Sequence, residues 1–219
     1  MDLRLVNGSV FQVIGPSGSG KTHFVCQLLI NATAIFQKPV RNVYWLMGTD
    51  DGEVGETRKE LKRIRNIHIL KGFEEGWQTR PQKGDVLVID DLFAESAKEK
   101  DFNNMFTKIA RHREVTVIFI TQNLFHQGGH HRTRNLNVHY LVIFKNPRDS
   151  SVIDYLARQA FHTNRNFLID AFHDVTNDRP HGYLFLDFTQ NCPELLRVRS
   201  DIFNPSGILV YKQNSDGNE

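Results

Sequence analysis

The chain has 219 residues, 40% hydrophobic and 24% charged, with a net charge of +2 and two cysteines, Cys26 and Cys192. That length suits one α/β domain with a sizeable core, and the balance excludes a disulfide framework and a chain that is basic as a whole. No apolar run approaches the roughly 20 residues of a membrane span, and Met1-Asp2-Leu3-Arg4 opens no signal-peptide pattern, so a soluble intracellular protein is expected.

The first predicted strand is the apolar run Val10–Ile14, and the first predicted helix carries Phe24, Val25, Leu28 and Leu29 at helical spacing. A loop with Pro39 leads to an aromatic-rich strand, Val43–Met47, which Asp50-Asp51-Gly52 ends. Residues 56–65 suit a short helix, Ile67–Leu70 a small strand, and 71–85, with three glycines and a proline, an irregular connection. Val86–Ile89 is continuously apolar, as a strand covered on both faces must be. Phe102, Met105, Phe106, Ile109 and Ala110 fall on one helical face. Val115–Ile120 and Tyr140–Phe144 read as further buried strands, the latter stopped by Asn146-Pro147. Two amphipathic helices follow, one with Ile153, Leu156, Ala157 and Phe161 and a Ser150 or Ser151 cap, the other with Leu168, Ala171, Phe172 and Val175. Tyr183–Phe188 reads as a last strand at a sheet edge. Residues 1–211 are expected to form a single domain and 212–219 a disordered polar tail. Strands alternating with helices call for a mainly parallel sheet with helices on both faces, whose ligands bind where the strands end.

Between the first strand and the first helix stands Gly15-Pro16-Ser17-Gly18-Ser19-Gly20-Lys21-Thr22. This is the phosphate-loop pattern in its strand–loop–helix setting. Glycines let backbone N–H groups turn in around a polyphosphate, and the helix N-terminus favours negative charge there. Lys21 would meet the β- and γ-phosphates of ATP, and the Thr22 hydroxyl would ligate Mg²⁺. Cys26, on that helix, reads as a small core residue and not as a nucleophile.

The other chemistry-bearing residues stand at strand ends. Asp90 and Asp91 close the run at Val86–Ile89; Asp90 would hold the metal and Asp91 would deprotonate the attacking water, although aspartate pairs also cap helices. Gln122 ends the strand from Val115, where an amide would touch both the γ-phosphate and the water, or else cap a turn. The loop His126–Arg134 is basic and glycine-hinged; its three histidines lack the further ligands a zinc site needs. Its Arg132 or Arg134 would reach a neighbouring subunit's γ-phosphate, or stay solvated. Arg58, Lys59, Lys62, Arg63 and Arg65 suit either DNA phosphates or, as the favoured reading, a solvated helix face.

The order of Gly15–Thr22, Val86–Asp91, Ile120–Phe125 and Leu136–Asp149 resembles the FtsK–HerA superfamily of DNA-pumping ATPases. Within it the chain looks most like the poxvirus- and adenovirus-type genome-packaging branch, which virophages and Maverick/Polinton elements also carry. The resemblance spans about residues 9–190, and its specific parts are Gln-Asn-Leu-Phe at 122–125 and Phe-Lys-Asn-Pro-Arg-Asp at 144–149. It implies a RecA-like (ASCE) P-loop NTPase with the Gln122 strand inserted between the phosphate-loop strand and the Asp90 strand. It also implies a homo-oligomeric ring, hexamer or pentamer, that hydrolyses ATP with Mg²⁺ at subunit interfaces and drives double-stranded DNA into a capsid. Capsid or portal-vertex proteins would be partners, and the host cytoplasm or nucleus, a virus factory or the virion the place of action. By position Lys21 and Thr22 match the Walker A pair, Asp90 and Asp91 the Walker B pair, Gln122 the sensor, and Arg132 the trans arginine finger, with Arg134 and Arg148 as fallbacks. Where many relatives carry glutamate, this chain has Asp91. A small nucleotide or metabolite kinase, another DNA-handling P-loop ATPase and a nucleotide switch are the alternatives.

Overall fold

The computed structural model describes residues 2–48, 59–73, 75–92, 109–122, 138–177 and 179–213. Among these, nine strands make one sheet: β1 (Val10–Ile14), β2 (Val43–Met47), β3 (Ile67–Lys71), β4 (Val86–Asp90), β5 (Thr116–Thr121), β6 (Tyr140–Phe144), β7 (Tyr183–Asp187), β8 (Val198–Ser200) and β9 (Leu209–Tyr211). Their order is β3-β2-β4-β5-β1-β6-β7-β8-β9. The six strands from β3 to β6 in this order are parallel, and β7, β8 and β9 continue the sheet antiparallel. The expected insertion is present: β5 lies between β1 and β4, with Ile14 level with Thr121 and Asp90 level with Ile120.

The period of two along each strand sends side chains to two cores. On one face Val13, Val86, Val88, Ile118, Ile120 and Val142 meet α1 (Lys21–Ile30), which buries Phe24, Val25, Cys26, Leu28 and Leu29. On the other, Leu141, Ile143, Leu184 and Leu186 meet α3 (Ser151–Ala160) and α4 (Arg165–Asn177), while Leu87, Ile89 and Val117 meet Ile109 and Ala110. The short helix α2 (Ala32–Ile35) follows α1. Truncating one of the buried leucines or isoleucines among these to alanine would cost about 2–5 kcal/mol. No helix among the described residues is long and apolar enough to cross a membrane.

Three sequence expectations change. Tyr183–Phe188 is not a sheet edge: β7 is buried along its whole length and paired on both sides, to β6 and β8. Beyond it lie β8 and β9, which the sequence pattern hid because β8 is three residues with a charge, Arg199, at its centre. That guanidinium is buried against Asp187, with Nη2 donating to Oδ2 at 2.8 Å, and its Nε donates to the Leu196 carbonyl at 2.6 Å. A buried charge of this kind persists only when paired and hydrogen-bonded. Finally, neither Ser150 nor Ser151 caps α3 through its hydroxyl; the Asp149 carboxylate accepts the Ser151 N–H at 2.9 Å. Hydrogen bonding from the Ser151 hydroxyl, and then from its N–H, holds the Asp149 carboxyl below its usual range.

Candidate functional site

Gly15 continues β1, its N–H donating to the Thr121 carbonyl of β5 at 3.2 Å. The chain then turns back on itself: the Ser19 N–H and the Lys21 Nζ both donate to the Pro16 carbonyl, at 3.2 and 2.8 Å. Three positions demand glycine, one of them Gly18 at φ 75°. A Cβ on Gly15 would lie 2.6 Å from Ser19 Oγ and 2.7 Å from Phe144 Cβ, and Gly20 sits at φ 102°, in the left-handed region. Gly20 is the N-cap of α1, and no side chain caps that helix end. Its first turn therefore presents backbone N–H groups to whatever anion sits in the loop. Ser19 Oγ is the one buried side-chain oxygen or nitrogen among the described residues that lacks a hydrogen-bond partner. An orphaned hydroxyl inside a glycine cradle fits a loop built around a polar ligand. Ser17 and Gly18 are exposed at the tip of the same loop, and Lys21 and Thr22 are half-buried at the helix start.

Two strands away, β4 ends at Asp90, and Asp91 adopts φ 51°. Successive strand residues face opposite ways, so this left-handed residue is what frees the second carboxylate from the sheet's alternation. The Asp91 N–H still donates to the Ile120 carbonyl of β5, at 3.2 Å. Asp90 is held from β2: the fully buried Trp45 donates its indole Nε1–H to Asp90 Oδ2 at 3.3 Å. Between the two, at the end of β5, Gln122 donates its Nε2–H to Asp91 Oδ2 at 2.7 Å. The amide and the second carboxylate are thus brought into direct contact from neighbouring strands.

Among the described residues no cluster of three or more His, Cys, Asp or Glu could hold a metal. A divalent cation here would rest on Thr22 and Asp90 together with phosphate oxygens. That donor set suits magnesium, which takes few protein ligands and keeps waters and phosphates. Burial pushes the Cys26 thiol up to about 12, with Glu60 and Asp90 adding to the effect, so it is a core residue, as its place in the sequence suggests. Lys59, Lys62, Arg63 and Arg65 are exposed around the buried Leu61 and Ile64, the arrangement of a solvated face. Arg148 is exposed on the turn after β6, its own N–H donating to Asn146 Oδ1 at 3.1 Å. Arg58, Arg132, Arg134 and the rest of the histidine-rich loop lie outside the described residues.

One residue at the site has no motif in the sequence. His181, at φ 62°, places its imidazole Nδ1 3.0 Å from the Ser19 carbonyl of the phosphate loop. A carbonyl only accepts, so Nδ1 carries the proton. The ring also covers Gly20, where a Cβ would come within 3.3 Å of it. Gly182, next in the chain, admits no side chain, since a Cβ there would stand 1.9 Å from the Val175 carbonyl. The turn from α4 into β7 is therefore pressed against the helix end, and it delivers His181 to the phosphate loop. The signal in the sequence was slight: a proline, a histidine and a glycine before a strand.

No family model and no curated protein sequence matches the chain. Solved structures do. B204, the DNA-packaging ATPase from Sulfolobus turreted icosahedral virus, aligns over 95% of this chain and 98% of its own, with a TM-score of 0.57 at 11% identity. The genome-packaging NTPase B204 from Sulfolobus turreted icosahedral virus 2, in complex with ATP-gammaS, aligns over 97% and 98%, with a TM-score of 0.56 at 12% identity. Its complex with AMP aligns over 98% and 100%, with a TM-score of 0.56 at 11% identity. At such identities the likeness is one of fold, and it is end to end: this chain has the RecA-like P-loop fold of the viral genome-packaging NTPases.

Proposed function

We propose that the chain is an ATP-driven translocase of double-stranded DNA, the motor ATPase of a viral-type genome-packaging machine. The observation that carries this reading is the Gln122–Asp91 hydrogen bond, made on a strand inserted between the phosphate-loop strand and the Asp90 strand. A small kinase would put its second acidic strand directly beside the phosphate-loop strand and would need an acceptor pocket. Here an uncharged amide stands between phosphate and base, where presence or absence of the γ-phosphate is felt by the carboxylate. Further support comes from the end-to-end likeness to packaging NTPases and from the resemblance of the Gln122–Phe125 and Phe144–Asp149 segments to that branch.

In this reading Gly15, Ser17, Gly18, Ser19 and Gly20 wrap the phosphates of ATP with backbone N–H groups, and Lys21 leaves the Pro16 carbonyl to meet the β- and γ-oxygens. Thr22 and Asp90 hold magnesium, which when bound draws charge from the phosphate oxygens. Trp45 keeps Asp90 oriented for that task. Asp91 takes the proton of the attacking water while Gln122 aligns it, and water displaces ADP from the γ-phosphorus in line. Arg132 of a neighbouring subunit, or Arg134 or Arg148, supplies the positive charge that the transferring phosphoryl group gathers. Hydrolysis then belongs to the seam of a ring, and its product is motion of the duplex. The protein would act inside the infected cell, with capsid or portal proteins as partners.

Phosphate release measured with and without double-stranded DNA tests the reading. Turnover should rise on adding duplex, and particle mass should step up to a closed ring with ATP analogue and DNA present. Arg132→Ala subunits mixed with subunits that keep Arg132 but carry Lys21→Ala should regain activity. A monomer whose hydrolysis ignores duplex would refute the motor, and absence of rescue would remove Arg132 from the finger role.

A further inference from the structure

Beside the phosphate loop the structure holds a cavity of about 510 Å³ that begins at Gly20. Its size lies in the range of small-ligand sites. Its walls are aromatic: Phe24 of α1, Phe144 of β6, Tyr183 of β7 and Phe203, which follows β8. These rings pack on one another, Phe24 against Tyr183 at 4.8 Å between centroids and against Phe203 at 5.0 Å. Phe203 is half-buried, so its ring edges the opening.

The polar groups on these walls are largely committed. Nδ1 of His181 is bonded to the Ser19 carbonyl, and Nδ1 of His23 to Glu60 Oε1 at 2.7 Å. The Tyr183 hydroxyl accepts the Ile202 N–H at 2.9 Å. Gln27, one turn along α1 from His23, is the one amide among the lining residues. An apolar, aromatic slot that opens on a polyphosphate-binding turn, with a single amide on its wall, matches one class of ligand: a flat heteroaromatic ring joined to phosphates.

We propose that this cavity is a purine-base subsite, with the base against the Phe24–Tyr183–Phe203 cluster and its polar edge on Gln27. The proposal rests on the reading that nucleotide binds at the phosphate loop and adds what that loop does not specify. A glutamine amide offers a donor and an acceptor and can turn over to exchange them. Adenine presents a donor and an acceptor on its Watson–Crick edge, and guanine presents the pair in the opposite order. The subsite therefore takes adenine and guanine nucleotides with similar affinity, and selects purines by stacking area. It also ties the antiparallel end of the sheet to the nucleotide, since Tyr183, His181 and Phe203 all come from that end.

The test compares ATP, GTP, CTP and inorganic tripolyphosphate, which carries the phosphates without a base, by calorimetry on the full chain. For the wild type, ATP and GTP should bind within about threefold of each other and CTP about tenfold more weakly, since base–aromatic stacking is worth that much or more. Gln27→Trp, which fills the cavity from a half-exposed helix position, should lower the ratio of ATP to tripolyphosphate affinity at least about tenfold. Phe203→Leu should lower the same ratio less, and thermal melting of each variant reports folding separately. Ratios unchanged in both folded variants would overturn the subsite while leaving the phosphate loop as the nucleotide's anchor. A wild-type preference for ATP over GTP of a hundredfold would overturn the role of Gln27. If neither ATP nor tripolyphosphate bound the wild type, the proposed function itself would fall.

Discussion

The parallel and the antiparallel parts of this sheet hold themselves together by different means. In the parallel part β4, β5, β1 and β6 are apolar and almost wholly buried, and the residues proposed for chemistry stand at or just past strand ends. From β7 to β9 the strands shorten, and a buried ion pair, Arg199 with Asp187, stands among them. Asp187 is further tied by Thr189, whose N–H donates to Oδ1 at 3.0 Å. The difference separates two tasks. The parallel part sets out phosphate-handling groups by register alone, while the antiparallel part must be locked before it can hold His181, Tyr183 and Phe203 against the phosphate loop.

Substitutions can break this comparison, and the largest effect is expected in the parallel part. Asp91→Asn keeps an oxygen for the Gln122 amide and removes the proposed base. Phosphate release should fall about 10²- to 10⁴-fold, the range for a lost general base, with thermal stability and nucleotide affinity nearly unchanged. Arg199→Met is the counterpart in the antiparallel part. It leaves Asp187 buried without its cation, and urea unfolding should reveal a loss of about 3–5 kcal/mol. If Arg199→Met proved neutral, the ion pair would not be the lock.

A smaller effect is expected at the turn that joins the two parts. Gly182→Ala forces a methyl onto the Val175 carbonyl, and overpacking of this kind costs about 1–3 kcal/mol. Because the turn carries His181, nucleotide affinity should weaken as well, which calorimetry would detect. Stability lost without any change in affinity would uncouple the turn from the phosphate loop.

The smallest effect is one of pH and lies at the seam. His139 takes the Val10 N–H on Nδ1 at 3.0 Å, and its backbone carbonyl accepts the Phe188 N–H at 2.8 Å, so it touches both parts of the sheet. Burial, with Arg111 nearby, holds its imidazole below the ordinary 6.5. The folded chain therefore keeps His139 neutral where the unfolded chain already binds a proton. Its contribution is complete above about 6.5 and declines as the pH falls through that value toward the lower folded one. The difference in urea-unfolding free energy between the wild type and His139→Gln should shrink from pH 7.5 to pH 5.5. A difference independent of pH would mean that His139 does not titrate with folding.

Local order fixed much of this molecule before any contact was made. Each of β1, β2, β4, β5 and β6 is a run of five or six residues whose apolar pattern suffices to define it, and the phosphate loop needs only glycines at set spacing between a strand and a helix. The places of Lys21 and Thr22 follow from the phosphate-loop pattern, those of Asp90 and Asp91 from the acidic pair that closes an apolar run, and that of Gln122 from the rule that open sheets bind ligands at strand ends. Tertiary structure alone decided the remainder. Arg199 can sit inside a strand only because Asp187, diagonally across on β7, pairs with it, and no window of sequence contains both as neighbours. His181 lies 162 residues from Ser19, and Trp45 lies 45 residues from Asp90, so their bonds exist only after the sheet is assembled. The physical reason is the same in each case. Apolar periodicity is a local property that each strand carries by itself, whereas a polar group is stable in the interior only beside a partner that the fold, and not the neighbouring residues, supplies.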